Sequence, residues 1–144
     1  MQIASGYKYT WLFGAFSPIT GEHLLMEFPN CNSDSFQIFL NEFSSDNPKT
    51  LTIMVLDNGA FHKAKKLKIP DNIKLLFLPP YSPELNPAER MWERFKRTFT
   101  NKFFESLEEI SLFLDDVAKE INKGIVISTC AYNYIFFDPF WNEI

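Results

Sequence analysis

Apolar and polar positions follow two different periods along this chain, and each change of period marks an element. Residues 9–16 and 22–28 are apolar, aromatic runs on either side of Ser17-Pro18-Ile19-Thr20-Gly21, a short connection closed by glycine; they predict an antiparallel hairpin. After Pro29, Phe36, Phe39, Leu40 and Phe43 recur on one face of a 3.6-residue period, predicting a helix capped by Ser33 or Asp34 and lying on the sheet. Residues 50–57 are rich in β-branched side chains, and Ile53-Met54-Val55-Leu56 has no polar side, as expected of an interior strand buried on both faces. A lysine-rich crossover then leads to a second such strand at residues 73–78, stopped by Pro79-Pro80, and the connection suits a parallel pair. Asn86-Pro87-Ala88-Glu89 predicts a helix start: Asn86 caps, Pro87 takes the first helical position, and Glu89 returns a hydrogen bond to the cap. That helix buries Ala88, Trp92, Phe95 and Phe99. Ser106 to Glu109 repeats the capping pattern before the stripe Ile110, Phe113, Leu114, Val117 and Ile121. From Lys123 onward the pattern fits strand and packed coil equally. The order ββαββαα is an α/β layer architecture, helices flanking a mixed sheet.

Composition narrows the picture. The 144 residues are 46% apolar with 16 Phe and only 5 Gly, enough for one packed core in one domain. The longest apolar stretches fall far short of a membrane span, and the start lacks a leader pattern. Cys31 and Cys130, with His23 and His62, lack zinc-site spacing, so both thiols are read as reduced and the chain as cytosolic. A net charge of -4 excludes gripping nucleic acid through overall charge and leaves only local contact.

Two acids stand out. Asp57 lies where an apolar strand runs out, at the sheet edge where α/β folds collect ligands; Asp57-Asn58-Gly59 also reads as a plain turn. Glu89 begins a helix behind a proline-stiffened loop, where a capping role alone would account for it. Parallel neighbouring strands bring both acids to one edge. Close carboxylates resist double ionisation unless a cation neutralises them, and hard oxygens favour Mg²⁺ or Mn²⁺ with phosphate oxygens completing the shell. Phosphoryl transfer is the chemistry this pairing suggests.

The strings Val55-Leu56-Asp57-Asn58-Gly59-Ala60-Phe61-His62 and Leu78-Pro79-Pro80-Tyr81-Ser82-Pro83-Glu84-Leu85-Asn86-Pro87-Ala88-Glu89-Arg90-Met91-Trp92 closely resemble the second and third acidic motifs of DDE transposases. The branch is similar to the bacterial insertion-sequence relatives of the mariner superfamily, with the pattern running from about residue 7 to about residue 121. The resemblance implies a ribonuclease-H-like fold in which three acids hold two divalent metals, Mg²⁺ or Mn²⁺, for in-line displacement. It makes Asp57 the second catalytic, metal-binding acid and Glu89 the third. Partners implied are DNA, both transposon ends and target, and further copies of the chain; the implied location is the bacterial cytoplasm, at the nucleoid when acting, with no membrane.

The first acid of that family lies on a central strand upstream of the hairpin, whereas Met1 to Tyr7 contains no acid. The expectation is therefore a catalytic domain, residues 1–144, truncated at its N-terminus with its central first strand absent and inactive as an isolated chain. An upstream transposase fragment becomes a candidate partner, since unpaired central edges invite a strand. An inactive remnant and a ribonuclease-H-like nuclease are the competing readings. Asn58, His62, Lys63, Lys65, Lys66 and Arg90 are candidate phosphate or DNA contacts, against the plainer reading of solvated charge. Trp11 and Trp92 are expected in the core, and Trp141 in the core or an oligomer contact.

Overall fold

A computed structural model describes residues 1–5, 8–57, 65–80 and 85–130, with the backbone alone at residues 5 and 8. The described elements are β1 (Gln2–Ser5), β2 (Lys8–Phe16), β3 (His23–Phe28), α1 (Ser33–Asp46), β4 (Thr52–Leu56), β5 (Ile73–Phe77), α2 (Ala88–Phe99), α3 (Leu107–Glu120) and α4 (Lys123–Cys130).

The hairpin forms as its pattern predicts. Strands β2 and β3 pair antiparallel from Trp11 with Phe28 to Phe16 with His23. Gly21 closes the turn at φ +78°, and a Cβ there would overlap the Lys123 backbone at the start of α4. Thr10 donates its hydroxyl to Glu27 Oε1 (2.9 Å), which also accepts from Ser111 Oγ (2.8 Å), tying the hairpin to α3.

Two elements depart from the sequence reading. Residues 2–5, given no element there, form β1, antiparallel to the first part of β2. Residues from Lys123 fold as helix α4, with Val126 and Cys130 fully buried against α2 and α3; an eight-residue element is too short for its period to tell helix from strand. The caps also shift slightly. Asn32, not Ser33 or Asp34, caps α1 by accepting from Ser35 N–H (2.9 Å).

The parallel pair β4 and β5 forms in register from Thr52 with Ile73 to Leu56 with Phe77. Among the described residues the sheet lies in two pieces, β1-β2-β3 and β4-β5, with no ladder between them. Strand β4 is less enclosed than its composition suggests: Met54 is buried, but Ile53 is 42% exposed. The expected two-sided burial would need a strand on its second edge.

Two apolar clusters follow from this layout. One joins Leu12, Met91, Phe95, Ile110, Leu114, Val117, Val126 and Cys130 on the side of α2, α3 and α4. The other joins Phe28, Phe36, Phe39, Leu40, Met54 and Ile73 under α1. Strand β2 serves both, because its side chains alternate: Phe13 and Ala15 face α1, while Leu12 and Phe16 face α2.

Candidate active site

A broad cleft of about 1420 Å³ opens between the two pieces of sheet, and Asp57 and Glu89 both line it. Asp57 is exposed, directly beyond the last residue of β4. Glu89 sits in the first turn of α2, half-buried. The start of that helix is set as the sequence indicates: Asn86 Oδ1 accepts from Ala88 N–H (3.1 Å), its carbonyl accepts from Glu89 N–H (3.0 Å), and Pro87 already has helical angles.

The return bond of a capping box is not made. Among the described residues the Glu89 carboxylate accepts no hydrogen bond, so the cap does not account for this side chain. Burial raises its carboxyl above the usual range, and the charge of Asp57 raises it further. Glu93 adds to the effect, while Lys96 and the Met1 amino group oppose it. The two acids named from the sequence are thus within electrostatic reach across one cleft.

Packing behind α2 fixes where Glu89 stands. Met91 and Phe95 are fully buried, and Cys130 of α4 donates its thiol to Pro87 O at 3.6 Å. Burial pushes that thiol up to about 11, so it stays protonated and serves as packing. Trp92, one turn beyond Glu89, packs edge-on against Phe16 with ring centroids 5.5 Å apart. Gly14 permits this approach, since a Cβ there would lie 2.7 Å from the Trp92 ring.

The remaining candidates divide. Lys65 is exposed, and Lys66 pairs with Asp34 at 3.0 Å, so its ammonium is drawn toward α1. The same crossover is pinned to α1 where Gln37 accepts from Lys68 N–H (2.7 Å) and donates to Lys68 O (2.9 Å). Arg90 is exposed on α2 beside Glu89. Asn58, His62, Lys63 and Trp141 lie outside the described residues. Trp11 and Trp92 are partly buried and both line the cleft.

Two further groups reach the cleft that the sequence did not single out for it, Met1 and Cys31, and with them comes Lys96 from the basic strip along α2. Lys96 was legible in principle, seven residues after Glu89 and therefore on the same helix face. Burial raises the Cys31 thiol, with Asp57 adding to the rise and the Met1 amino group opposing it.

As a donor set, Asp57 and Glu89 offer hard oxygens of the kind Mg²⁺ and Mn²⁺ take, with positions left for water and phosphate oxygens. Among the described residues no group of three or more His, Cys, Asp or Glu side chains gathers to enclose a metal. The pair fits a divalent ion, and the set is one acid short of the triad that the sequence resemblance implies.

Comparison with known proteins places this geometry. A family profile described as DDE superfamily endonuclease matches residues 5–111. The uncharacterized protein y4pE/y4sA of Sinorhizobium fredii (strain NBRC 101917 / NGR234) is 36% identical over 104 residues, covering 71% of this chain and 77% of that protein. A solved structure, the Mos1 transposase paired-end complex with left transposon end, superposes with a TM-score of 0.67 over 86% of this chain at 19% identity. This chain spans 40% of that transposase's length. The likeness in structure shows the fold, a ribonuclease-H-like α/β architecture. With the profile running from β1 into α3 and a relative above one-third identity, the chain belongs to the DDE superfamily endonucleases.

Proposed function

We propose that residues 1–144 are the catalytic-domain portion of a DNA transposase that cuts phosphodiesters at transposon ends and transfers the cut strand to target DNA, using Mg²⁺ or Mn²⁺. The observation that carries this reading is the convergence of Asp57 and Glu89, from separate elements, on one cleft where burial and the charge of Asp57 oppose the ionisation of Glu89. A cation relieves that opposition. When bound, the divalent metals would activate a water or a 3′-hydroxyl and stabilise the leaving oxygen.

The chain's own residues supply the holding and the positioning. Asp57 and Glu89 are the ligands, and Glu89 must lose its proton before it can bind, so affinity should rise with pH through its elevated titration. Arg90 and Lys65, exposed near the two motifs, are the described side chains best suited to phosphate, with Asn58, His62 and Lys63 proposed beside them and Lys66 sharing its charge with Asp34. A bacterial cytoplasmic, nucleoid-associated location goes with this proposal; the described residues include no helix long and apolar enough to cross a membrane. Assembly into a homo-oligomer at paired ends belongs to the same proposal.

Isothermal titration of Mn²⁺ into the chain and into an Asp57→Ala/Glu89→Ala double variant tests it. Loss of the binding heat in the variant supports the site; identical heats contradict it.

A second reading rests on the divided sheet and the two-acid set: a remnant, or a fragment that needs a strand from an upstream transposase piece. End-labelled transposon DNA with Mn²⁺ separates the two. Robust nicking by the isolated chain favours a complete enzyme, while metal binding without nicking favours the fragment. Nicking without strand-joined products would indicate a nuclease that stops at cleavage.

A further inference from the structure

The helix layer over Leu12 and Phe16 carries its charge in two blocks of opposite sign. Residues 90–102, most of α2 and the start of the connection after it, hold five bases and one acid, whereas residues 105–120, the end of that connection and α3, hold six acids and one base. Both helices pack against β2 and share one apolar cluster, so their outward faces lie on the same side of the molecule. Arg90, Arg94 and Arg97 follow one another at helical spacing along the side of α2 turned away from Met91 and Phe95, and all three are exposed. On α3, Leu112 stands opposite the buried Ile110 and Leu114 and is 66% exposed. Glu108 and Asp116 lie one turn to either side of it, with Glu109 and Asp115 beside them. Among the described residues Arg94, Arg97, Asp115 and Asp116 make no ion pair.

Between the two blocks stands Phe103, 95% exposed. Its neighbours hold it there. Asn101 turns the chain at φ +61°, and Lys102 N–H donates to Phe99 O (3.1 Å). Phe104 turns inward against Phe99 and Phe113, with ring centroids 5.9 and 5.4 Å away, and the Lys102 ammonium lies over the Phe113 ring at 5.8 Å. With both flanking residues fixed, the Phe103 ring is carried outward on a held loop. An aromatic side chain offers roughly 150–250 Å² of surface whose burial is favourable, so a covering partner gains by it.

We infer that this face, α2 and α3 side by side with Phe103 between them, is a contact between two copies of the chain, related by a two-fold axis so that α2 of each copy lies over α3 of the other. A partner of uniform sign is attracted by one helix and repelled by the other. The phosphates of a duplex lying across the face would gain from Arg94 and Arg97 but meet the acids around Leu112. The covering surface must carry both signs in the opposite order, and a second copy does so, because a two-fold contact sets one patch against a different one and then repeats the pairing. Arg94 and Arg97 then face Asp115 and Asp116, while Phe103 of each copy meets Leu107 and Leu112 of the other, both exposed. An apolar centre inside a charged rim is the ordinary anatomy of a protein interface, with aromatic residues as its anchors. The inference names the contact for the homo-oligomer included in the proposed function and rests on that reading for its role.

The test uses the full chain in EDTA and without DNA, so that association is read apart from the metal site. Sedimentation velocity at increasing concentration should show the chain passing from monomer to dimer. Arg94→Glu/Arg97→Glu and Asp115→Lys/Asp116→Lys should each weaken self-association on the order of tenfold or more, since like charges then face each other. An equimolar mixture of the two variants should recover the dimer, because each acidic surface again finds a basic one. Phe103→Ser should weaken the dimer without touching the charges, and Asp115→Asn/Asp116→Asn should give an intermediate loss. Every substituted side chain is exposed, so melting curves should match that of the unaltered chain. A chain that stays monomeric at every concentration, a dimer indifferent to both charge changes, or a mixture that recovers nothing would overturn the inference. Weaker retention on duplex DNA by Arg94→Glu/Arg97→Glu with unchanged association would assign the basic stripe to nucleic acid and overturn it too. Mn²⁺ titration of the same samples is a separate readout, so failure of the contact and failure of the metal site appear as different results.

Discussion

Strands β1 to β3 pair along nearly the whole of β2 and carry packed helices on both faces, whereas β4 and β5 form a two-stranded ribbon with one large apolar residue, Ile53, 42% exposed. Glu89 belongs to the first region, held by α2 with α3 and α4 behind it. Asp57 belongs to the second, tied to the rest through α1, where Asn72 Nδ2 donates to Ser44 O (3.2 Å) and Asn47 O (2.9 Å). Isolated two-stranded units are marginal in water. The comparison teaches that the two acids of the proposed site stand on supports of unequal strength, and that among the described residues one edge of the weaker support is unpaired.

The largest effect should come from the strong side. Phe95→Ala removes a fully buried ring and should cost about 3–5 kcal/mol by urea unfolding. Met54→Ala, in the cluster under α1, should fall near the lower end of the ~2–5 kcal/mol range for such truncations. Equal losses would erase the contrast. Next, Gly14→Val should cost about 1–3 kcal/mol by forcing Trp92 and Phe16 apart, seen also as a change in Trp fluorescence. Asn86→Ala removes the bond to Ala88 N–H and should cost ~1 kcal/mol, together with weaker Mn²⁺ binding as the first turn of α2 frays.

The smallest effect is pH-dependent. Because burial and Asp57 raise the Glu89 carboxyl, its ionised form works against folding. Its contribution to stability is intact below the ordinary Glu value of about 4.3 and is lost as pH rises through the elevated folded value. Glu89→Gln should therefore raise the melting temperature at neutral pH by the equivalent of roughly 0.5 kcal/mol, the scale of part-exposed positions, and change it little near pH 4. A variant equally stabilised at both pH values would show that the carboxylate is not under strain.

Much of the fold is legible because its signals are local and strong. The stripe Phe36, Phe39, Leu40 and Phe43 marks α1, and Ile110, Leu114 and Val117 mark α3, each burying as its period requires. The proline-rich string before Glu89 identifies a family as well as a helix start. What the sequence obscures depends on tertiary company. Strand β1 is only four residues long and forms by pairing with residues 8–11 of β2, and α4 becomes a helix because Val126 and Cys130 find a pocket behind α2. Glu89 satisfies the capping pattern in sequence, and only the structure reveals that its carboxylate is spent on no such bond. Strand β4 reads as doubly buried because its composition suits a centre strand, and that its second edge is unpaired among the described residues appears only once the pairing partners are known.

The central claim is that Asp57 and Glu89 jointly hold one divalent ion. Paramagnetic broadening by substoichiometric Mn²⁺ in an amide NMR spectrum tests it most directly. The account predicts that Leu56 at the end of β4 and residues 88–90 at the start of α2 broaden first and together, with the effect abolished by Asp57→Asn. Broadening centred elsewhere, or at only one of those two segments, would contradict it.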